Sequence, residues 1–397
     1  MIKIGIIKEY KIPNDFRTPF TPSQADEINK FKEYLIVCQS SDIRCFDDKE
    51  YNDRSVNVVN NLNDCDIIFG IKEVPKEKLI PNKTYFMFSH TIKKQLYNQL
   101  LLKEVINKKI RLIDYECLVN KGKRIVAFGK YAGIAGAYNS LMCYGKKYDL
   151  FNLDRLNCFK DTNDLYKFTS SFKFKDQIRI LIIGDGRVAN GAAELFESFK
   201  IIKINTNDYI NKNYNHPVYC QLGVREYVKR KDGKKFEEQE YFNEPESFVS
   251  NYQKFSQTTD ILINAAFWDP KSPKLFEEDN INDNFSARVI GDISCDIDGA
   301  IPCTKIASTI QNPFFDYCTE SKKITKPFSN KKNITVMSID NLPSELPRDS
   351  SRFFGKILIE KILPILNEEN NKIIDDATIA KDGKLTENYS YLSDYVS

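Results

Sequence analysis

Residues 178–199 read IRILIIGDGRVANGAAELFESF, and the parsing of this stretch decides the fold. Ile178–Ile183 is apolar at every position but Arg179, as expected of a strand covered on both faces of a sheet. Gly184, Gly186 and Ala189 follow at G-x-G-x-x-A spacing, and apolar residues then recur every three to four positions through Phe199, predicting a helix. In a strand–turn–helix of this kind the first glycine permits the tight turn. The second lets backbone approach a pyrophosphate, and the third small residue lets helix pack on strand. Amides at the helix start, with the helix dipole, then favour an anion. Gly184, Gly186, Arg187, Val188 and Ala189 are therefore candidate dinucleotide contacts. The alternative is a tight turn with no ligand.

An acid about 20 residues further on, at the end of the second strand, marks the ribose 2′-hydroxyl of NAD. Here Asn205 stands at that place, Asp208 comes late and Lys203 is near. NAD and NADP both remain open.

Working outward, strand patterns recur at 201–205, 260–267 and 287–296. The intervening 207–258 is polar, aromatic and charged, and reads as an insertion. Its basic run Lys229–Lys235 around Asp232-Gly233 reads as a solvated turn. Toward the amino terminus, strands are predicted at 2–8, 34–39, 65–72, 84–90 and 110–116. Helices are predicted at 23–31, capped by Ser23, and at 91–108. Alternation of this kind implies an α/β fold with two Rossmann-like doubly wound parallel-sheet domains and a cleft between them. Residues 1–135 with 335–397 are assigned to a substrate-binding domain, and 136–334 to a dinucleotide-binding domain.

Composition narrows the function. A net charge of +3 with interleaved acids and bases argues against nucleic acid as the main partner. No apolar run approaches the ~20 residues of a membrane span, and the amino terminus enters a strand pattern without a signal peptide. Ten scattered cysteines without CxxC or metal-like spacing fit a reducing cytoplasm and no metal. The expected partners are small molecules.

Ionisable residues cluster at predicted strand ends, where α/β sheets bind ligands. Lys72 ends one strand and His90, one of only two histidines, ends the next. Glu116 ends a third, and Lys93 lies one turn beyond His90. Arg17 sits in a loop after the first strand, pinned by Pro19 and Pro22, suited to bidentate carboxylate recognition or exposed on the surface. Arg124 lies on a short strand before Gly129, Gly133 and Gly136, which suggest close backbone packing. In the second domain Asp292 or Asp296 ends a strand, either facing a cofactor ribose or lying in a solvated turn.

The stretches KEYKIPNDFRTPFTP, GIKEVP, TYFMFSHTIKKQ, IRLIDYE, RIVAFGKYAGIAG, GDGRVANGA, LINAAFWDPKSP, DISCDIDGAI and SIDNLPSELPRDSSRFFG span nearly the whole chain in order. Together they resemble the alanine dehydrogenase and saccharopine dehydrogenase superfamily. The likeness is to the lysine–2-oxoglutarate reductase half of aminoadipic semialdehyde synthase and to lysine-forming saccharopine dehydrogenase. The resemblance implies an oxidoreductase that interconverts saccharopine with lysine plus 2-oxoglutarate using NAD or NADP. It implies Lys72 as base for the secondary amine and His90 as acid/base for water addition. Arg17 and Arg124 would hold substrate carboxylates, Glu73 and Glu116 would tune the bases, and Lys93 would anchor charge. Asn205 and Asp296 join the glycine turn as cofactor contacts, and Asp15 takes the place of an acid two residues before the arginine. The rival readings are reductive amination of a small 2-oxo acid, as in alanine dehydrogenase, and a non-catalytic nucleotide-binding protein.

Overall fold

The computed structural model describes residues 1–397 and divides into two compact units, 1–128 with 347–397 and 129–346. The divisions fall at 128/129 and 346/347 rather than at 135/136 and 334/335. The helix Gly129–Tyr148 packs along its length on the second sheet, and the strand at 334–337 pairs within that sheet, so both move to the second unit.

The first unit is built on a parallel sheet. Its strands are β1 (Ile2–Ile6), β2 (Tyr34–Gln39), β3 (Val58–Val59), β4 (Ile67–Phe69), β5 (Thr84–Met87) and β6 (Arg111–Asp114). Their order across the sheet is β6-β5-β4-β1-β2-β3, all parallel, and the carboxy-terminal hairpin Thr378–Leu385 adds antiparallel to β6. β4 and β5 are short apolar runs because both faces are covered. On one face Phe20, Phe69 and Phe86 stack, with Phe69 and Phe86 at 4.4 Å, and Phe354 lies against Phe128 and Tyr115. A small hairpin of β7 (Val119–Asn120) and β8 (Lys123–Arg124) follows.

Two local expectations shift. The helix after the arginine loop runs Pro22–Lys30 and is capped by Thr21, not Ser23. Thr21 and Gln24 form a reciprocal capping box with Pro22 at the first turn. The helix expected at 91–108 is confined to Gln99–Asn107. Before it, Ser89 and Thr91 are buried and hydrogen-bonded to each other at 2.8 Å, and Lys94 has φ +53°. Polar anchoring at the strand end outweighs a periodicity whose first members, Leu96 and Leu100, are exposed.

The second unit carries the strands β9 (Arg179–Ile183), β10 (Ile202–Lys203), β11 (Val218–Leu222), β12 (Val228–Arg230), β13 (Phe248–Ser250), β14 (Ile261–Asn264), β15 (Val289–Asp292), β16 (Phe314–Cys318), β17 (Lys323–Thr325) and β18 (Ile334–Met337). The main sheet runs β10-β11-β9-β14-β15-β18-β16-β17, and its first six strands are parallel. The assignment of 207–258 as an insertion is therefore corrected: β11 lies within it and pairs directly with β9. Five residues between polar flanks carried too weak an apolar signal. Only the β12–β13 hairpin and its surroundings stand outside the main sheet, with Arg230 paired to Asp232 and Glu240 at the basic turn.

Of the three glycines that open Gly129–Tyr148, Gly133 packs backbone on backbone, whereas Gly129 and Gly136 face the side chains of Val188 and Ile293. A β-carbon at Gly133 would lie 1.9 Å from the Val188 carbonyl, and one at Gly191 would lie 2.1 Å from that of Lys130. The helix Arg187–Ser198 is thereby fixed behind the glycine turn. Gly133→Ala gains about 1 kcal/mol of helix propensity but forces two backbones apart. It is expected to destabilise the protein by about 3 kcal/mol in urea unfolding. A loss under about 0.5 kcal/mol would contradict this packing.

Candidate active site

The sheet order of the first unit places the tips of β6, β5, β4 and β1 side by side. Phe69 is opposite Phe86, and beyond the strands the Phe88 amide still donates to the Ile71 carbonyl at 3.0 Å. Lys72 and His90 thus leave neighbouring strand tips, as their positions in the sequence suggested. The residues joining them were less obvious. Glu73 lies between, with Oε2 3.0 Å from His90 Nδ1 and Oε1 paired to Lys11. Glu73 is pulled in both directions. Burial favours its neutral form, but the bonds to His90 and Lys11 outweigh this and hold it well below the usual carboxylate range. An ionised Glu73 can only accept, so Nδ1 of His90 carries a proton toward it and Nε2 is left without a part in that bond.

His90 itself has φ +50°, a left-handed conformation that is uncommon for a non-glycine residue. Ser89 before it is held on both sides. The Ser89 amide and hydroxyl both donate to buried Asp114 at the tip of β6, the amide at 2.9 Å. Asn98 donates to the Ser89 carbonyl at 2.9 Å. Asp114 and Ser89 escaped the sequence reading because they sit inside apolar runs without any motif of their own.

Arg17 is buried and so is not an exposed surface arginine. Its Nε donates to Asp15 Oδ1 at 2.9 Å and its Nη2 to Oδ2 at 2.5 Å, and its guanidinium stacks 4.2 Å from the Phe128 ring. Burial opposes ionisation of Asp15, but Arg17, together with Lys72, holds its carboxyl far below the usual range. Lys72 is lowered in turn, first by burial and then by Arg17, with Asp15 and Glu73 partly offsetting. A lysine lowered in this way can exist as a free amine nearer neutrality.

The structure does not gather every candidate here. Glu116 and Arg124 form their own pair at 2.9 Å, on the turn after β6 and on β8. Lys93 is exposed and forms no ion pair, because the residues around it make a turn rather than the expected helix.

In the second unit Gly184 has φ +109°, and a β-carbon there would crowd the Ala265 carbonyl at 3.1 Å. Gly186 precedes the helix Arg187–Ser198 as its N-cap, and a side chain there would meet nothing within 4 Å. Ala189 is buried against the sheet. The turn therefore keeps open space above Gly186, which suits a pyrophosphate. Asn205 lies beyond β10 at the sheet edge, where its side chain accepts the Asp208 amide at 2.9 Å as a helix cap. β11, not β10, neighbours β9, and Gly223 follows the end of that strand. Asp296 is exposed, whereas Asp292 is buried and accepts from Asn264, Ser294 and Thr304 at 2.6–2.9 Å.

The N-terminal domain of the alanine dehydrogenase/PNT family matches residues 5–135, and its C-terminal domain matches residues 175–390. The chain belongs to the alanine dehydrogenase/PNT family. Within this family, L-alanine dehydrogenase shares its fold at a TM-score of 0.64, with 12% identity and 100% of both chains covered. A transhydrogenase from Sinorhizobium meliloti does so at 0.61, with 12% identity over 97% of this chain and 98% of that one. In sequence, the mitochondrial alpha-aminoadipic semialdehyde synthase of Bos taurus is 29% identical over 95% of this chain and 46% of its own length. The saccharopine dehydrogenase (NAD(+), L-lysine-forming) of Candida albicans is 27% identical over 91% of each. The chain thus spans about half the length of the synthases it matches and nearly all of the fungal dehydrogenase. No helix is long and apolar enough to cross a membrane.

Proposed function

We propose that the protein interconverts saccharopine with L-lysine and 2-oxoglutarate, using a nicotinamide dinucleotide as hydride carrier. One observation carries this reading. Lys72, whose amine is lowered, the Glu73–His90 pair and the Asp15–Arg17 pair occupy adjacent strand tips of one sheet.

Saccharopine is a secondary amine between two carboxylate-bearing halves. Its oxidation needs a base to take the ammonium proton, so that the nitrogen lone pair can form the C=N bond as hydride leaves the adjacent carbon. Lys72 Nζ, lowered by burial and Arg17, would take that proton. Water must then add to the imine carbon and the carbinolamine must collapse, breaking the C–N bond and forming the ketone. His90 Nε2 would accept the proton from water and deliver one to the departing lysine nitrogen, with Glu73 fixing the ring. Arg17 would bind a substrate carboxylate, its plane held by Asp15. Arg124, Glu116 and Lys93 are kept as candidates for the more distant carboxylate and amine. The dinucleotide supplies the hydride acceptor, and Gly184 to Ala189 would hold its pyrophosphate.

The surroundings of Gly223 support a 2′-hydroxyl rather than a 2′-phosphate. A β-carbon there would lie 3.1 Å from carboxylate oxygens of both Asp185 and Glu226, so the acid absent from the strand end is supplied from either side. Two carboxylates would repel a phosphate. ADP-ribose is therefore expected to bind at least about ten-fold more tightly than its 2′-phosphorylated form in calorimetric titration. Equal or reversed affinity would contradict this.

The function is tested by offering purified protein lysine with 2-oxoglutarate, and separately pyruvate with ammonia, in the presence of NADH or NADPH. Oxidation of the reduced cofactor only with the first pair is the expected result. Turnover restricted to pyruvate and ammonia would overturn the proposal.

A further inference from the structure

Glu9 is a buried carboxyl at the centre of the cluster to which the proposed chemistry gives no task. It follows β1, and its two oxygens accept the backbone amides that lead out of β4: Oε1 from Ile71 at 2.6 Å and Oε2 from Lys72 at 2.9 Å. The segment carrying Lys72 is therefore clamped from the neighbouring strand, not only by its own sheet pairing. Gly70 helps admit the clamp, since a β-carbon there would press on Ile7 at 2.8 Å and reach Glu9 Oε1 at 3.6 Å. The charged groups around Glu9 come from three other segments. They are Asp15 and Arg17 in the loop after β1, Lys72 after β4, and the titratable phenol of buried Tyr115 after β6, whose hydroxyl has no hydrogen-bond partner.

We propose that Glu9 is a positioning residue for Lys72: it fixes the backbone from which the amine projects and, when ionised, holds the proton on that amine. The inference rests on the proposed role of Lys72 and adds a second group to its titration. Glu9 and Asp15 cannot both ionise cheaply in one buried site. Asp15 takes the charge because Arg17 grips it from both oxygens. Burial first, and Asp15 next, raise Glu9 to about 8, against the pull of the two amides and Arg17. Near neutral pH Glu9 is thus mostly protonated. As pH rises through that value a negative charge appears beside Lys72 and favours the ammonium form. The amine of the wild type should therefore resist deprotonation over the same pH range in which Glu9 ionises.

The test is Glu9→Gln, which is close in shape and cannot ionise. The pH dependence of Lys72 labelling by an amine-reactive reagent, read by mass spectrometry, requires no substrate. In Glu9→Gln the labelling midpoint is expected to fall by about one pH unit relative to wild type. The kcat for saccharopine should fall at least about ten-fold, with KM changed less than about three-fold. A labelling curve that superimposes on the wild type overturns the inference even if the enzyme turns over saccharopine. Absence of saccharopine turnover in the wild type would overturn the proposed function while leaving the labelling result to decide on Glu9. Should Glu9→Gln fail to fold, the wild type is read by infrared spectroscopy with labelled glutamate. A buried protonated glutamate that ionises around pH 8 supports the proposal, and full ionisation by pH 6 overturns it.

Discussion

Lys72→Met is expected to lower kcat for saccharopine oxidation by about a thousand-fold, within the range assigned to a single positioned acid–base group. Methionine approximates the length and apolar stem of lysine, so the half-buried position should remain filled. The loss then reports the amine and not a cavity. Removing a buried cation also relieves Arg17 of like-charge repulsion, while Asp15 keeps its partner. Folding should therefore survive, and thermal unfolding within a few degrees of the wild type is the control. Cofactor affinity should be unchanged, because the glycine turn belongs to the other unit. Turnover within about three-fold of the wild type would remove Lys72 from the chemistry.

Gly186→Val is expected to abolish dinucleotide binding, raising its Kd by at least about a hundred-fold, or ~2.7 kcal/mol. The argument is steric. No protein atom lies within 4 Å of a β-carbon at Gly186, so the variant should fold normally, and the added methyls would occupy space above the turn that the protein leaves empty. If that space receives the pyrophosphate, the branched side chain displaces it. Gly184→Val makes a useful contrast. Its φ of +109° and its approach to Ala265 predict loss of stability as well as of binding. A Gly186→Val protein that binds NAD with unchanged Kd would reduce the glycine turn to a structural device. Titration by quenching of protein fluorescence, checked by calorimetry, decides between these outcomes.

The parts of this protein legible from sequence were those with strong local signals. The strand–glycine–helix segment at 178–199 combines apolar run, turn chemistry and helical period, and all three agree. Lys72 and His90 were legible because each is a lone ionisable residue closing an apolar strand, and parallel strand tips share one edge. What the sequence hid were non-local facts. β11 is five residues long amid polar sequence, and only pairing with β9 shows that it belongs in the main sheet. That pairing puts Gly223, not Asn205, after the strand beside β9. The helix assigned to 91–108 had the right periodicity, yet Ser89 and Asp114 hold its first residues in a turn. Glu9 and Asp114 each look like ordinary strand-end acids. Their importance lies in partners 62 and 25 residues away, reached only in the folded sheet.

The account depends on Lys72 acting as the base at a lowered proton affinity, and the pH dependence of kcat/KM for saccharopine, measured for wild type and Lys72→Met together, tests this most directly. A base must be unprotonated to act, so the wild-type rate should climb with pH and level off once the amine is free. Because burial and Arg17 lower that amine, the climb should finish well below the ordinary lysine range near 10.4. In Lys72→Met the remaining activity should lose this limb and vary little over the same interval. An identical rising limb in both proteins would assign the titrating base to another residue and contradict the central claim.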